Sequence, residues 1–238
     1  MEILLYIILL IYFIIGAVLI AITNRRKNRI EKKYNWKKYF VYLIIINTLF
    51  FSILLKKQYF TYICLIISII GIYEIINNAI KTNKIIIGIQ VVLAFIIISY
   101  FFILFSFNKT SYLLYTLFIV TIFDAFSQLI GQIIGKNKIF PKISPNKTYE
   151  GLIGGLFVSI ITSILIRNLL EINIIKSITI GFGVSAFAFI GDFFASYIKR
   201  KYGIKDFSNL LPGHGGVLDR FDSLIMGSLF SLIIIKFI

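Results

Sequence analysis

Long apolar runs separated by short polar connections dominate the chain. Eight segments can be drawn, at about 3–22, 38–55, 59–77, 85–107, 111–134, 149–170, 175–199 and 217–238. Most approach or exceed the roughly 20 residues that a helix needs to cross a bilayer, and backbone groups in hydrocarbon must pair internally. The pattern therefore predicts an all-α, polytopic transmembrane bundle of eight helices, or nine if a re-entrant turn breaks one long run.

Composition agrees with a membrane protein. The 238 residues are 59% hydrophobic and include one cysteine. Cys64 lies inside an apolar run and is interpreted as a small buried apolar residue. The first run, Ile3–Ile22, is long for a signal peptide and lacks a basic segment before it, so we expect a retained first membrane helix.

The net charge of +15 is unevenly distributed along the chain. Nineteen of the 25 lysines and arginines lie in or beside the connections that follow odd-numbered segments, and six lie on the other side. The positive-inside rule places the richer side in the cytoplasm and both termini outside, in a multi-pass protein of the inner (cytoplasmic) cell membrane. The basic stretch NRRKNRIEKKYNWKK is interpreted as a topology anchor against anionic headgroups, and no nucleic-acid partner is expected.

Two predicted cytoplasmic connections are more elaborate than a simple link requires. The fifth reads GKNKIFPKISPNKTYEG (135–151) and the seventh reads KRKYGIKDFSNLLPGHGGVLDRFD (199–222), and together they hold all three prolines and the only histidine, His214. Loops of this kind usually carry function. We therefore divide the chain into about four N-terminal membrane helices, 1–110, and a C-terminal catalytic part, 111–238, with loops 135–150 and 199–222 and the active site at the cytoplasmic side.

Carboxylates interrupt two of the apolar runs that lead into these loops. Asp124 lies in the fifth run and Asp192 in the seventh. A carboxylate at membrane depth costs at least about 2.5–3.5 kcal/mol on insertion scales, so it normally faces a polar cavity or a partner. Helical spacing puts Ser196 and Lys199 on the face of Asp192. A lysine ion pair would explain either acid alone, but two acids near the same loops favour a shared site.

Small residues recur at helical spacing beside the fifth connection. Gly131 and Gly135 form one small-xxx-small pair, and Gly151 and Gly155 form another. Such pairs let helix backbones approach closely, so we expect tight packing of the fifth and sixth helices.

The end of the seventh connection has the composition of a polyphosphate site. Asp219 and Asp222 are spaced so that both side chains can point the same way from the start of the last helix. Carboxylates without histidine or thiol partners favour Mg²⁺, which keeps waters for substrate phosphates. The glycines of 213–216 can bring backbone N–H groups near an anion. Cations are supplied nearby by Lys136, Lys147, Lys199, Arg200, Lys205 and Arg220. These groups predict phosphoryl or nucleotidyl transfer.

The stretch SYIKRKYGIKDFSNLLPGHGGVLDRFD (196–222) resembles the signature of the phosphatidate cytidylyltransferases, also called CDP-diacylglycerol synthases. The matching positions are Ser196, Lys199, Arg200, Lys205, Asp206, Ser208, Leu211, Pro212, His214, Gly215, Gly216, Asp219, Arg220 and Asp222. Gly191-Asp192 and SPNKTYEG (144–151) also resemble family elements. The resemblance covers Asp124 to the C-terminus, while the first four helices match only in being hydrophobic. Two departures are Ala195, where an acid is common, and DAFSQ at 124–128.

The resemblance implies that the phosphate of phosphatidic acid attacks the α-phosphorus of CTP and forms CDP-diacylglycerol and pyrophosphate, with Mg²⁺ and room for a second cation. The implied catalytic residues are Asp192, Asp219, Asp222, His214 and Lys205. Asp192 and Asp219 would bind the metal, assisted by Asp222. The implied substrate-binding residues are Asp124, Ser144, Lys147, Thr148, Ser196, Lys199, Arg200, Gly215, Gly216 and Arg220. His214 would either contact a phosphate or cap the glycine turn.

Other functions remain open at this stage. Besides CTP and phosphatidic acid, the expected partners are membrane lipids, and a homodimer is allowed. A polyprenol kinase or an archaeal-lipid cytidylyltransferase would also use CTP at a membrane. A cation or phosphate transporter could line its path with Asp124 and Asp192. The sequence shows no obvious inverted repeat, and its polar residues gather at one face, which counts against transport.

Overall fold

The computed structural model describes residues 2–25, 28–211 and 215–235. Within these ranges the chain forms eight α-helices: α1 (Glu2–Asn24), α2 (Arg29–Leu55), α3 (Lys57–Lys81), α4 (Ile85–Ser106), α5 (Thr110–Ile134), α6 (Tyr149–Leu165), α7 (Ile174–Tyr202) and α8 (Leu218–Ile234). The predicted bundle of eight helices is confirmed for this part of the chain. Six helices, α1 to α5 and α7, are long and apolar enough to cross a membrane.

Two features differ from the sequence prediction. An antiparallel hairpin of β1 (Lys138–Phe140) and β2 (Ser144–Thr148) occupies the fifth connection of the all-α fold, where no strand was predicted. Helix α2 begins at Arg29, well before the apolar run, because Asn28 and Glu31 form a capping box. The Glu31 N–H donates to Asn28 Oδ1 at 2.8 Å, and the Asn28 N–H donates to the Glu31 carboxylate at 3.4 Å.

Helix α5 is the centre of the bundle. Every residue from Leu113 to Phe123 is buried, whereas less than half of each of the other candidate spans is buried. Polar contacts fix its neighbours, since the Tyr115 hydroxyl lies 2.6 Å from Ser163 Oγ and the Thr116 hydroxyl donates to Ser231 Oγ at 2.7 Å. Hydrogen bonds of this kind hold helices together where lipid removes the hydrophobic driving force between them.

Glycines bring α6 against α5, as the small-xxx-small pairs predicted. A Cβ added at Gly155 would lie 2.7 Å from Ser127 Cβ, and one added at Gly151 would lie 2.5 Å from the Ser127 carbonyl oxygen. Gly135 is equally restricted, because its added Cβ would lie 2.6 Å from Thr148 Oγ1. This approach places the hairpin beside the end of α5.

The connections that follow α3, α5 and α7 meet at one end of the bundle. Asn78 of α3 donates to the Phe207 carbonyl at 2.6 Å, Lys84 donates to the Lys201 carbonyl, and Arg200 Nε donates to the Ile143 carbonyl at 3.0 Å. At the other end, Lys57 Nζ donates to the Phe107 carbonyl at 3.3 Å. The gathering of the two elaborate loops at one face, predicted from the sequence, is therefore confirmed.

Candidate active site

The hairpin of the fifth connection packs on the last turns of α7. The ring of Phe140 in β1 lies 4.5 Å from the ring of Phe193, centroid to centroid, and 6.2 Å from that of Phe189. Arg200 extends this contact from the end of α7 to Ile143 between the two strands. The hairpin thereby places Lys147 of β2 against the face of α7 that carries Asp192.

Lys147 and Asp192 form an ion pair across this contact. Lys147 Nζ lies 2.7 Å from Asp192 Oδ2 and 4.4 Å from the centroid of the Phe189 ring. The Asp192 side chain nevertheless remains 38% exposed. Ser196, one turn later, donates to its other oxygen at 3.4 Å, so the predicted stripe of Asp192 and Ser196 exists. Asp192 keeps acceptor capacity toward the open side of the site.

Asp219 lies in a different environment, at the start of α8. Lys199 Nζ donates to its Oδ1 at 2.5 Å, and the backbone N–H groups of Phe207 and Gly216 donate to Oδ2 at 2.8 and 2.9 Å. The Asp219 side chain is only 1% exposed. A buried carboxylate requires this number of donors, because its desolvation is otherwise uncompensated. Asp219 thus ties both ends of the seventh connection to α7.

The two signature glycines fit closely around this carboxylate. Gly215 has a φ of +83°, the left-handed region that favours glycine, and its carbonyl accepts from the Leu211 N–H at 2.9 Å. A Cβ at Gly215 would lie 3.0 Å from Asp219 Oδ2. Gly216 supplies one of the N–H groups that Asp219 accepts. In this arrangement the amide of Gly216 serves the protein's own carboxylate.

Two further acids, Asp124 and Asp222, and a cation, Arg220, converge beside the first pair. Asp124 of α5, Asp192 of α7 and Asp222 of α8 lie within electrostatic range of one another. Gly191 permits this, since a Cβ there would lie 2.5 Å from the Asp222 carbonyl oxygen. Asp124 and Arg220 also line a small cavity between α2, α5 and α8. Asp124 and Asp222 therefore lie close enough to Asp192 for their negative charges to repel one another.

The donor set suits a hard cation such as Mg²⁺, although the described residues include no group of three or more acid, histidine or cysteine side chains placed to hold a metal. Mg²⁺ commonly takes only one or two protein carboxylates and completes its shell with water and substrate phosphate. Asp192 is suited to this kind of coordination because its side chain is partly exposed. Asp219 would fit only if the Lys199 ammonium moved from Oδ1.

Comparison with known proteins agrees with this chemistry. The sequence model of the cytidylyltransferase family matches residues 2–238. The chain belongs to the cytidylyltransferase family. It is 45% identical over 116 residues to the phosphatidate cytidylyltransferase of Staphylococcus aureus (strain COL), covering 48% of this chain and 45% of the relative. It is 43% identical over 120 residues to that of Aquifex aeolicus (strain VF5), covering 50% of this chain and 45% of the relative. The matched region spans just under half the length of these relatives.

The remaining site residues predicted for this cytidylyltransferase family member fall into three groups. Thr148 caps α6, because its hydroxyl accepts from the Gly151 N–H at 3.2 Å, and Ser144 begins β2. Arg200 and Lys205 are exposed, and Arg200 Nη1 donates to the Ile204 carbonyl at 2.8 Å. His214 lies outside the described residues. The predictions for substrate contact at all of these positions stay predictions.

Sequence reasoning missed the contribution of the first helices to the site. Glu74 and Asn78 of α3 contact the connection between α7 and α8, called the signature loop below. Tyr42 of α2 lines the cavity of Asp124 and Arg220. The signal for Glu74 was present, since it is a carboxylate within the third apolar run, of the same kind as Asp124 and Asp192. The stretch that resembles the family signature lies in the second half of the chain and gives no indication of this carboxylate.

Proposed function

We propose that this protein transfers the CMP moiety of CTP to phosphatidic acid, forming CDP-diacylglycerol and pyrophosphate in phospholipid biosynthesis. Family membership and the similarity to two phosphatidate cytidylyltransferases support this reaction. The observation that carries the proposal is the meeting of two lysine–aspartate pairs, Lys147–Asp192 and Lys199–Asp219, at the end of the bundle where the loops converge. Carboxylates and lysines at that density match the needs of a metal-bound polyphosphate.

The reaction requires no nucleophile from the protein. A phosphate oxygen of phosphatidic acid forms a bond to the α-phosphorus of CTP, while the bond from that phosphorus to the bridging oxygen of pyrophosphate breaks. The attacking oxygen is already anionic, and the leaving group departs with the electron pair. Catalysis therefore depends on alignment of the two phosphates and on neutralisation of their charge.

We assign Asp192 and Asp219 as ligands of Mg²⁺, with Asp222 assisting and a second cation allowed. Bound Mg²⁺ would neutralise phosphate charge and hold the two reacting phosphates in line. Asp192 would act from the open side of the site, where its side chain is partly exposed. Lys147 and Lys199 lie beside the two proposed ligands and would donate to phosphate oxygens. Arg200, Lys205 and Arg220 are proposed as further phosphate contacts, and His214 as a phosphate contact or turn cap.

The lipid would enter from the bilayer beside Asp124. Tyr42, Thr121 and Arg220 line the same cavity, which opens among apolar side chains of α2, α5 and α8. An arginine among apolar residues suits an acidic headgroup whose acyl chains remain in lipid. We place this end of the bundle at the cytoplasmic face of the inner membrane, because the connections there are rich in lysine and arginine.

A turnover assay on detergent-purified protein tests the proposal. The protein is incubated with Mg²⁺, CTP labelled in the cytidine, and phosphatidic acid, and lipid products are separated from water-soluble ones. We expect label in the lipid and an equal amount of released pyrophosphate. Parallel reactions contain a polyprenol or an archaeal-type unsaturated ether-linked phosphatidic acid.

Each alternative has its own product. CDP together with a phosphorylated polyprenol would replace the proposal by a lipid kinase. Label only in the ether lipid would reassign the lipid substrate. No transfer to any lipid by a folded protein, together with cation or phosphate flux in proteoliposomes, would favour a transporter.

A further inference from the structure

Glu74 is a wholly buried carboxylate that the proposed chemistry does not use. It lies in α3 with an exposed fraction of 0%, one helix turn before Asn78. No other segment of the first four helices brings an acid to the signature loop within the described residues. A buried carboxylate is costly unless several donors satisfy it, so its partners indicate its role.

The partners of Glu74 all belong to the signature region. The Val217 N–H donates to Oε1 and the Leu218 N–H to Oε2, both at 2.9 Å, and the Ser208 hydroxyl donates to Oε1 at 2.5 Å. The two N–H groups are at the start of α8, where the helix dipole also favours a negative charge. A side chain of α3 therefore fixes the first turn of a distant helix.

Asn78 extends the same attachment to the other side of the loop. Its amide donates to the Phe207 carbonyl at 2.6 Å, and the Phe207 N–H in turn donates to Asp219. Helix α3 thus holds the chain both before and after the glycine turn. The pieces it holds are those that surround the carboxylate of Asp219.

The second signature glycine is explained by this contact. A Cβ at Gly216 would lie 2.6 Å from Glu74 Oε1 and 2.8 Å from Oε2. A larger residue at this position would displace Glu74 from the start of α8. Gly216 therefore lets the Asp219 and Glu74 carboxylates bind consecutive backbone N–H groups, those of Gly216, Val217 and Leu218.

We propose that Glu74 is a positioning residue whose carboxylate orients the first turn of α8, and with it Asp219 and Asp222, for catalysis. The catalytic half of this statement depends on the proposed function. Glu74 itself touches neither substrate nor metal in this scheme. It accepts hydrogen bonds from two backbone N–H groups and one hydroxyl. These three donors require its two acceptor oxygens, and its negative charge strengthens the bonds.

Two substitutions separate charge from size. Glu74→Gln preserves the side-chain volume but leaves one acceptor oxygen and turns an N–H₂ group toward α8. Glu74→Asp preserves the charge and both acceptors on a shorter stem. A positioning carboxylate predicts that activity falls in the order wild type, Glu74→Asp, Glu74→Gln, whereas simple filling of space predicts that Glu74→Gln is the better tolerated.

The experiment measures turnover and amide hydrogen exchange on the same purified proteins. For Glu74→Gln we expect kcat to fall on the order of 10²-fold, since small misplacements of reacting groups cost about that much, with a much smaller change in KM for CTP. Peptides covering 207–222 should lose exchange protection, while peptides of α5 and α6 keep theirs. Glu171→Gln is the matched control, because it removes an exposed carboxylate from the connection between α6 and α7.

Ser208→Ala provides a milder test if Glu74→Gln does not fold. It removes one of the three donors from the loop side, so a smaller loss of protection and kcat is expected. Where Glu74→Gln does fold, its effect and that of Ser208→Ala should be less than additive in the double variant, because both act through one contact.

Unchanged exchange or normal kcat in Glu74→Gln would overturn the proposal, as would a Glu74→Asp protein less active than Glu74→Gln. Failure of the proposed function is distinguishable from these results. If wild-type protein labels no lipid, the exchange data alone decide whether Glu74 holds the loop. Unchanged protection would then refute the attachment, and lost protection would uphold it.

Discussion

The two lysine–aspartate pairs share helix α7 but differ in their access to solvent. Asp192 of α7 pairs with Lys147 of the hairpin, and both side chains stay partly exposed, at 38% and 17%. Lys199 of α7 pairs with Asp219 of α8, where the carboxylate is 1% exposed and accepts two backbone N–H groups as well. The first pair is partly accessible from the open side of the site, whereas the second also holds a loop in place.

The difference follows from the origin of the partners. Lys147 reaches Asp192 from a short hairpin that rests on α7 through Phe140. Asp219 is enclosed by residues on both sides of the glycine turn, and α3 supports that turn through Glu74. Removal of a buried partner leaves an uncompensated charge, while removal of an exposed partner leaves a solvated one. Substitutions in the Lys199–Asp219 pair should therefore lower both stability and turnover. Substitutions in the Lys147–Asp192 pair should affect catalysis with little change in stability.

The largest effect is expected for Lys199→Met, which leaves Asp219 buried without its cation. The free energy of unfolding should fall by about 3–5 kcal/mol, and turnover should be lost. Denaturant unfolding in detergent measures the first quantity and the labelled-CTP assay the second. Lys201→Met, which removes an exposed lysine of the same helix end, is the control.

A double substitution sharpens this result. Lys199→Met/Asp219→Asn removes both charges while the asparagine oxygen still accepts from Phe207 and Gly216. It should regain part of the lost stability without regaining turnover. If Lys199→Met unfolds like the wild type, Asp219 is not the buried, lysine-dependent group described above.

A smaller effect on stability and a large one on turnover are expected for Asp192→Asn. The partly exposed pair should contribute no more than about 1 kcal/mol to the free energy of unfolding. Asp192→Asn and wild type should therefore unfold at nearly the same denaturant concentration. Turnover should fall by at least about 10²-fold, because the substitution removes a proposed ligand of the Mg²⁺ that would neutralise the phosphates. The assay is repeated over a range of Mg²⁺ concentrations. Near-normal turnover at every Mg²⁺ concentration would exclude Asp192 from the metal site.

Most of the helical fold could be predicted because bilayer thickness fixes the length of a spanning helix. The failures are local. The basic start of α2 has low hydropathy and depends on the cap of Asn28 and Glu31, which a search for apolar runs does not detect. The hairpin lacks alternating apolar residues, since its strands contain Lys138, Pro145 and Asn146. Its stability comes from packing on α7.

The pairings among the proposed site residues could not be predicted from the sequence. Asp192 and Asp219 stood out from the sequence, yet spacing alone could not decide that Lys199 would turn from the face of Asp192 to the carboxylate of Asp219. That choice depends on the position of α8, which Glu74 of α3 helps to fix. Contacts between residues more than a hundred positions apart have no local sequence signal.

The smallest effect is expected for Lys147, the cation of the more accessible pair. Lys147→Met should leave the free energy of unfolding within about 1 kcal/mol of wild type, because Asp192 stays partly hydrated. If Lys147 contacts a CTP phosphate equally in the bound and transition states, KM for CTP should rise about tenfold with little change in kcat. Lys147→Arg keeps the charge and should recover most of the affinity.

Salt dependence distinguishes this account from a purely structural ion pair. The attraction between the Lys147 charge and approaching CTP acts through solvent and is screened by added salt, so KM should rise with ionic strength more steeply in wild type than in Lys147→Met. A structural role would instead lower the unfolding temperature of Lys147→Met and leave the two salt slopes equal. Equal slopes with unchanged unfolding would remove Lys147 from both roles, and the Lys147–Asp192 pair would then matter only through its aspartate.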